Sequence, residues 1–331
     1  QTNAHAYYAL GVMIDKKGKI ELPNGKRMSQ QALFLKALAL GKVDAAIYYN
    51  LAVKLQPGVY ITLPTGECMN EQDLYLKALS LDPDDPDIYY KLALSLKLGE
   101  TITLLSGKQM SRKALYLKTL ALGKDEANVH YNLAVELKSD NHVTLPNGER
   151  MSKQGLFLKT IALDQTNAHA YYALGVMIDK KGKIELPNGQ HVDQQALFLK
   201  ALALGYEDAD IYYNLAVKLK TKDNIILPNG NRMSDRDLYL KSIEFGENTG
   251  LAYYNLAVTL KSGERITLLN GQRMTEQALF LKALDFDNET VNKHVYRAVA
   301  NTLADGEGIR LLDRRYMTKT ELMAEHERYN A

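Results

Sequence analysis

The apolar residues of this chain form one pattern that repeats every 41 residues. In the clearest copy, Tyr253, Leu256 and Leu260 follow the i, i+3, i+7 spacing of an amphipathic helix. Alternating apolar and polar residues follow over 263–274, which is typical of a short β-hairpin. A second apolar helical pattern then runs over 278–284. Each unit is therefore predicted to be a helix, a hairpin and a second helix.

Turn and capping residues repeat with the same period. The turn Leu22-Pro23-Asn24-Gly25 is typical, and proline at its second position predicts a type I turn followed by a left-handed glycine bulge. The second helix is predicted to end at a glycine such as Gly41 or before Asp82-Pro83. A capping residue precedes this helix in all copies: Ser29, Asn70, Ser111, Ser152, Asp193, Ser234, Thr275 and Thr318.

A fixed period of this size indicates one supersecondary unit stacked along an axis. We therefore predict a mainly α fold, a right-handed α-α superhelix (solenoid) of helix-hairpin-helix repeats with a short β-hairpin in each repeat. One solenoid is expected to cover residues 1–331, with units at about 1–41, 42–82, 83–123, 124–164, 165–205, 206–246 and 247–287, and a degenerate C-terminal cap at 288–331.

The repeats also form a larger block. Residues 1–25 and 165–189 are identical, so a group of four repeats was duplicated, and an interacting surface would recur along the chain. A repetitive partner would then gain avidity, although recent copying without functional meaning is the alternative. The last unit has two residues inserted between Asn288 and Lys293 and a polar second helix. The start of the chain has no comparable cap, so we expect this chain to be the C-terminal part of a longer protein.

Two sequence motifs resemble known repeat families. The Tyr-Tyr-Asn-Leu-Ala helix and the ending at Leu76–Pro83 resemble tetratricopeptide (TPR) repeats, and the ending at Lys200–Ala209 is similar to Sel1-like repeats. The resemblance extends over nearly the whole chain, but the TPR period is 34 residues, and the seven additional residues map to the hairpin. It implies a non-catalytic scaffold or adaptor of bacterial origin that binds a protein or peptide on the concave face lined by the first helices.

The first helices supply the candidate binding residues. One tyrosine per repeat forms a ladder: Tyr8, Tyr49, Tyr90, Tyr131, Tyr172, Tyr213 and Tyr254. Asparagine follows it at Asn50, Asn132, Asn214 and Asn255. Three residues before it lies a variable position, with His5, Asp87, Asn128, His169 and Asp210 as candidates. Asparagine could bind a peptide backbone and tyrosine its apolar side chains. Packing of the tyrosines between helices is the alternative.

Other repeated positions are predicted to be structural. The tyrosine just before each ladder tyrosine is expected in the core, and His130, which replaces one of these, is expected to be a packed histidine. The TPR clamp for a C-terminal carboxylate needs asparagine at a position that is aliphatic here, so the clamp is absent. That position is occupied by Val12, Val53, Leu94, Val135, Val176, Val217 and Val258.

Composition favours no catalytic or cofactor chemistry. Cys68 is the only cysteine, and the seven histidines are not paired at metal-ligand spacing, so no catalytic residue, metal or cofactor is predicted. The 41 basic and 39 acidic residues give a net charge of +2, which disfavours a nucleic-acid partner, although a base-reading repeat array is one alternative. An accessory domain of an enzyme that lies outside this chain is another.

Hydropathy and cysteine content also indicate where in the cell the protein is located. No apolar run reaches the length of a membrane span, and the single cysteine fits a reducing compartment. We expect a cytoplasmic protein or one delivered into a host cytosol. The first residue is Gln1, so a targeting signal cannot be judged.

Overall fold

The helix-hairpin-helix order is present in every repeat of the computed structural model. The structure describes residues 3–14, 18–138, 141–179, 182–219, 223–246, 249–261, 263–286 and 289–329. Gln1 and Asn288, where the predicted insertion begins, lie outside these residues. The chain divides into two compact units, residues 1–165 and 166–331, each with four repeats.

The first unit contains eight helices and four hairpins within its described residues. Its elements are α1 (Ala4–Met13), β1 (Lys19–Glu21), β2 (Arg27–Ser29), α2 (Gln30–Ala39), α3 (Ala45–Ala52), β3 (Ile61–Thr62), β4 (Cys68–Met69), α4 (Glu71–Leu81), α5 (Pro86–Ser95), β5 (Thr101–Thr103), β6 (Gln109–Ser111), α6 (Arg112–Ala121), α7 (Ala127–Val135), β7 (His142–Thr144), β8 (Arg150–Ser152) and α8 (Lys153–Leu163).

The second unit repeats this order. Its elements are α9 (Ala168–Met177), β9 (Lys183–Glu185), β10 (His191–Asp193), α10 (Gln194–Ala203), α11 (Ala209–Lys218), β11 (Asn224–Ile226), β12 (Arg232–Ser234), α12 (Asp235–Glu244), α13 (Gly250–Val258), β13 (Arg265–Thr267), β14 (Arg273–Thr275), α14 (Glu276–Ala283), a 3₁₀ turn (Leu284–Phe286), α15 (Glu289–Asn301), β15 (Gly308–Arg310), β16 (Tyr316–Thr318) and α16 (Lys319–Arg328).

Within each unit, every helix packs against the next helix in the chain, as α1 does on α2 and α2 on α3. This sequential packing confirms the predicted mainly helical repeat fold. The core comes from both the second and the first helices of the repeats: Leu33, Phe34 and Ala37 of α2 and Leu51 of α3, in the next repeat, are buried. Among the described residues, no helix combines the length and the apolar character that crossing a bilayer requires.

The local signals in the sequence predict the hairpins and caps correctly. In the first hairpin, Ile20 pairs with Met28, the Gly25 N–H donates to the Leu22 carbonyl, and Gly25 has a φ of 75°. This is the type I turn with a glycine bulge that proline at position 23 favours. Each predicted capping side chain accepts a hydrogen bond from the first turn of its helix, as Ser29 does from the Ala32 N–H.

Small residues of the first helices lie against the aromatic rings of the second helices. A Cβ atom at Gly11 would lie 2.7 Å from Cε1 of Phe34, and one at Gly175 would lie 2.6 Å from Cε1 of Phe198. The equivalent residue is a buried alanine in other repeats, such as Ala52. Close approach of the two helices therefore limits this position to glycine or alanine, as its small residues predict.

Candidate functional site

The seven ladder tyrosines occupy equivalent half-buried positions, each on the first helix of its repeat. Each ring packs at a tilt against an aromatic ring of the second helix in the same repeat, with centroids 5.6–6.2 Å apart. The partners are Phe34, Tyr75, Tyr116, Phe157, Phe198, Tyr239 and Phe280. One face of each ladder ring is thus used for packing, and part of the side chain stays accessible.

Partial burial also affects the hydroxyl groups of several ladder tyrosines. Burial raises the pKa of Tyr131, and burial together with the nearby Asp87 and Asp85 carboxylates raises that of Tyr49. These phenols therefore stay protonated at physiological pH and can donate hydrogen bonds. The rings are held by packing, so a partner would meet preorganised tyrosines.

The structure gives the four ladder asparagines two kinds of internal partner. Asn132 Nδ2 donates to Tyr90 Oη of the preceding repeat at 3.2 Å, and Asn255 Nδ2 donates to Tyr213 Oη at 3.3 Å. Asn50 and Asn214 instead donate to carbonyls of their own helices, at 2.7 and 2.8 Å. One amide donor of each side chain is therefore used within the protein, and an amide still has a second N–H and an acceptor for a ligand.

Two of the variable positions lie where one repeat meets the next within the same unit. Asp87, at the start of α5, is 3.1 Å from Lys124 Nζ, which precedes α7. Burial alone would lower the pKa of Lys124, but its hydrogen bonds to Glu126 and Asp87 raise it. In the second unit, His169 packs edge-on against Tyr206 with centroids 4.5 Å apart. Asp87 and His169 thus contact the first residue of the following repeat.

The remaining variable candidates have exposed side chains. Asp210 accepts a hydrogen bond from Tyr172 Oη at 3.3 Å, and the His5 ring lies 6.2 Å from that of Tyr8. Asn128 is exposed in the first turn of α7. The structure therefore places Tyr8 next to the variable residue of its own repeat, and Tyr172 next to that of the following repeat.

A second row of side chains was not assigned to the site from the sequence. The position four residues after each ladder tyrosine, one helical turn away on the same face, is aliphatic. Val12 is 55% exposed, Val176 54% and Val258 57%, and Leu94 and Val135 are also exposed. The signal was present in the 41-residue period, but only the structure shows that these side chains face solvent. We call the ladder tyrosines and these aliphatic residues the ladder face.

The tyrosines that precede the ladder belong mainly to the core, as predicted. Tyr48, Tyr89, Tyr171, Tyr212 and Tyr253 are buried, whereas Tyr7 is half-buried. His130 is only 1% exposed, and its Nε2 lies 2.5 Å from Asp125 Oδ1. The hydrogen bond from His130 lowers the pKa of the Asp125 carboxyl. His130 is therefore a packed histidine with a carboxylate partner.

The described residues offer little for metal or redox chemistry. No group of three or more histidine, cysteine, aspartate and glutamate side chains in these segments is arranged to hold a metal ion. Cys68 is an exposed free thiol on β4, 3.4 Å from the Thr62 hydroxyl.

Residues 73–99, which include most of α4 and all of α5, match the family model described as TPR repeat. The predicted resemblance to TPR repeats is confirmed over this segment. No curated protein matches the chain in sequence.

Solved structures similar to this chain include TPR and Sel1 repeat proteins. YrrB, described as a TPR protein with an unusual peptide-binding site, is 20% identical over 69% of this chain and 98% of its own, with a TM-score of 0.39. A Sel1 repeat protein from Oxalobacter formigenes is 14% identical over 77% of this chain and 92% of its own, with a TM-score of 0.41. Yeast Tom70 is 16% identical over 91% of this chain and 58% of its own, with a TM-score of 0.37.

Proposed function

We propose that this protein is a non-catalytic repeat scaffold that binds extended peptide segments of partner proteins along its ladder face. The observation that carries the proposal is the repeated exposure of an aliphatic side chain one turn after a half-buried tyrosine. In the first unit Val12, Leu94 and Val135 show it, and in the second unit Val176 and Val258.

The chemistry of the ladder face favours peptides with apolar side chains. Single exposed apolar residues are ordinary, but an aliphatic residue occupies this position of the first helix in seven repeats and is exposed in five of them. Val53 and Val217, at the same position, are half-buried. The tyrosines beside them are held by ring packing, so binding would cost little side-chain entropy. Because the clamp positions are aliphatic, contacts with apolar side chains replace recognition of a terminal carboxylate.

The repeated sequence block supports a repetitive or multivalent partner. Helices α1 and α9 have the same sequence, so each unit presents Tyr8-Val12 or its copy Tyr172-Val176. Two linked copies of one peptide motif would bind more tightly than a single copy, provided that the linker can reach both units.

Peptide selection followed by paired substitutions tests this function. A phage-displayed peptide library is selected on the immobilised chain, and the affinity of a selected peptide is measured by fluorescence anisotropy. Val258→Glu is compared with Leu269→Glu, because Val258 on the ladder face and Leu269 in the adjacent hairpin turn are 57% and 56% exposed. Both changes add one charge at equal exposure.

We expect Val258→Glu to weaken binding by roughly tenfold or more, since an apolar contact worth about 1.5–3 kcal/mol is lost. Leu269→Glu should leave the affinity within about twofold of the unsubstituted chain, because it lies off the ladder face. Equal affinities for the two variants, or weakening by Leu269→Glu alone, would contradict the proposal.

A further inference from the structure

Three aromatic rings and two carboxylates meet at the junction of the fifth and sixth repeats, within the second unit. The Tyr206 ring lies 4.5 Å from that of His169 and 5.0 Å from that of Tyr172, measured between centroids. Tyr172 Oη donates to Asp210 Oδ2 at 3.3 Å, and Tyr206 Oη donates to Asp208 Oδ2 at 3.5 Å. We call these five residues the aromatic corner.

The first unit contains a counterpart of this corner with a cation already in place. His5 and Tyr8 lie on α1, which has the same sequence as α9. Lys42 stands where the second unit has Tyr206. Its ammonium lies 4.9 Å from the centre of the Tyr8 ring and 3.0 Å from Asp44 Oδ2. Tyr8 on this helix sequence therefore receives a lysine ammonium by a cation–π contact, and Asp44, the N-cap residue of α3, forms an ion pair with the same ammonium.

Two residue differences between the first-unit counterpart and the aromatic corner remove the lysine ammonium and strengthen the attraction for a cation from outside the chain. Tyr206 in place of Lys42 removes a positive charge and adds a third ring. Asp210 in place of Ala46 adds a carboxylate beside the Tyr172 hydroxyl. Each change makes the corner more negative by one unit of charge.

The electrostatic effect is visible at Tyr172. Burial, followed by the Asp210 and Asp208 carboxylates, raises the pKa of the Tyr172 hydroxyl. Negative charge close to accessible aromatic rings is the combination that attracts a cation. Asp210 and His169 are exposed, so a ligand can reach the corner from solvent.

We propose that the aromatic corner binds the ammonium group of a lysine side chain in a bound peptide. Lysine is favoured because the first-unit counterpart already holds this group. The inference deepens the proposed function, since Tyr172, His169 and Asp210 belong to the candidate binding surface, and it rests on that function for the claim that a peptide supplies the lysine.

A small-molecule titration tests the corner without a peptide. The probe is N-acetyl-lysine amide, and the control is N-acetyl-norleucine amide, which has the same backbone and an uncharged alkyl chain. The full chain is labelled with ¹³C in its histidine rings, and the His169 resonance, assigned with a His169→Gln variant, is followed by NMR. A saturable shift with the lysine probe alone is expected.

Paired substitutions then test whether the corner is the cause. Tyr206→Lys installs the built-in cation of the first unit and should weaken probe binding by about fivefold or more, whereas Tyr206→Phe keeps the ring and should retain binding. In the reverse exchange, Lys42→Tyr with Ala46→Asp should create a saturable response at His5. Amide spectra of each variant check that the fold is unchanged.

The result that would overturn the inference is a His169 resonance that does not saturate, that responds equally to the norleucine probe, or that responds equally in Tyr206→Lys. Failure of the corner and failure of the proposed function remain distinguishable. If the lysine probe binds normally while selected peptides ignore the ladder face, the proposed function is wrong. If peptides bind the ladder face but the lysine probe does not bind, the corner assignment is wrong.

Discussion

The turn of the last hairpin places an arginine where the other repeats have glycine. Arg314 has a φ of 70°, and the seven equivalent glycines have φ values of 75–88°. Its hydrogen bonds match those of its glycine counterparts: the Arg314 N–H donates to the Leu311 carbonyl, and the Leu311 N–H donates to the Arg315 carbonyl. The hairpin therefore holds a non-glycine residue in the left-handed region, which disfavours side chains with a Cβ.

Replacing Arg314 with glycine should stabilise this hairpin. The left-handed conformation costs an L-residue about 1–2 kcal/mol, whereas glycine loses about 0.5–1 kcal/mol more conformational entropy on folding. The net gain should be about 0.5–1 kcal/mol. Arg314 is exposed, so little packing is lost. Gly271→Arg is the reciprocal change and should cost a similar amount, because a Cβ at Gly271 would meet no atom within 4 Å.

Hydrogen exchange of the hairpin amides measures this effect locally, which matters because repeats can unfold separately. The Leu311 amide should exchange about two to five times more slowly in Arg314→Gly, the ratio that corresponds to 0.5–1 kcal/mol. The Leu268 amide should exchange faster in Gly271→Arg. Unchanged or faster exchange at Leu311 in Arg314→Gly would refute the reasoning, since it would mean that the arginine side chain offsets the backbone strain.

Two further predictions concern helix packing and pH. Gly175→Ala should lower the thermal unfolding midpoint, with a net loss of about 1 kcal/mol: the Phe198 ring must move to admit the new methyl group, which outweighs the better helix propensity of alanine. A higher midpoint would show that the ring moves freely. The hydrogen bond from Arg236 lowers the pKa of Glu264 to about 2. The stability from this ionised carboxylate is therefore present above about pH 4.3 and is lost as the pH falls through about 2. The difference in urea midpoint between the unsubstituted chain and Glu264→Gln should shrink over that range, and a constant difference would contradict this assignment.

The sequence was sufficient to predict those features that depend on neighbours along the chain. Capping at Ser29 depends on residues three positions away, and the bulge at Gly25 is signalled by the glycine itself and by the proline two positions before it. Such signals act within one turn or hairpin, so a repeated pattern reveals them directly. The helix order and the fold class follow from the same local signals and the period.

The contacts of the candidate site could not be predicted in the same way. Tyr8 packs on Phe34 across a hairpin, and Asp87 pairs with Lys124 of the following repeat, so both contacts depend on how the helices are stacked. The exposure of Val12 could not be predicted either, because a valine in an apolar helix pattern has the same sequence signal whether it faces the core or solvent. The left-handed Arg314 was missed because glycine is the usual signal for that turn.

Methyl NMR of the full chain with a library-selected peptide tests the central claim most directly. With valine and leucine methyl groups labelled, the resonances of Val176 and Val258 in the second unit, or of Val12, Leu94 and Val135 in the first, should shift on peptide addition. The methyl groups of Leu105 and Leu269, which are exposed in hairpin turns, should stay unchanged. Shifts confined to the hairpin leucines, with the ladder-face methyl groups unaffected, would contradict the account.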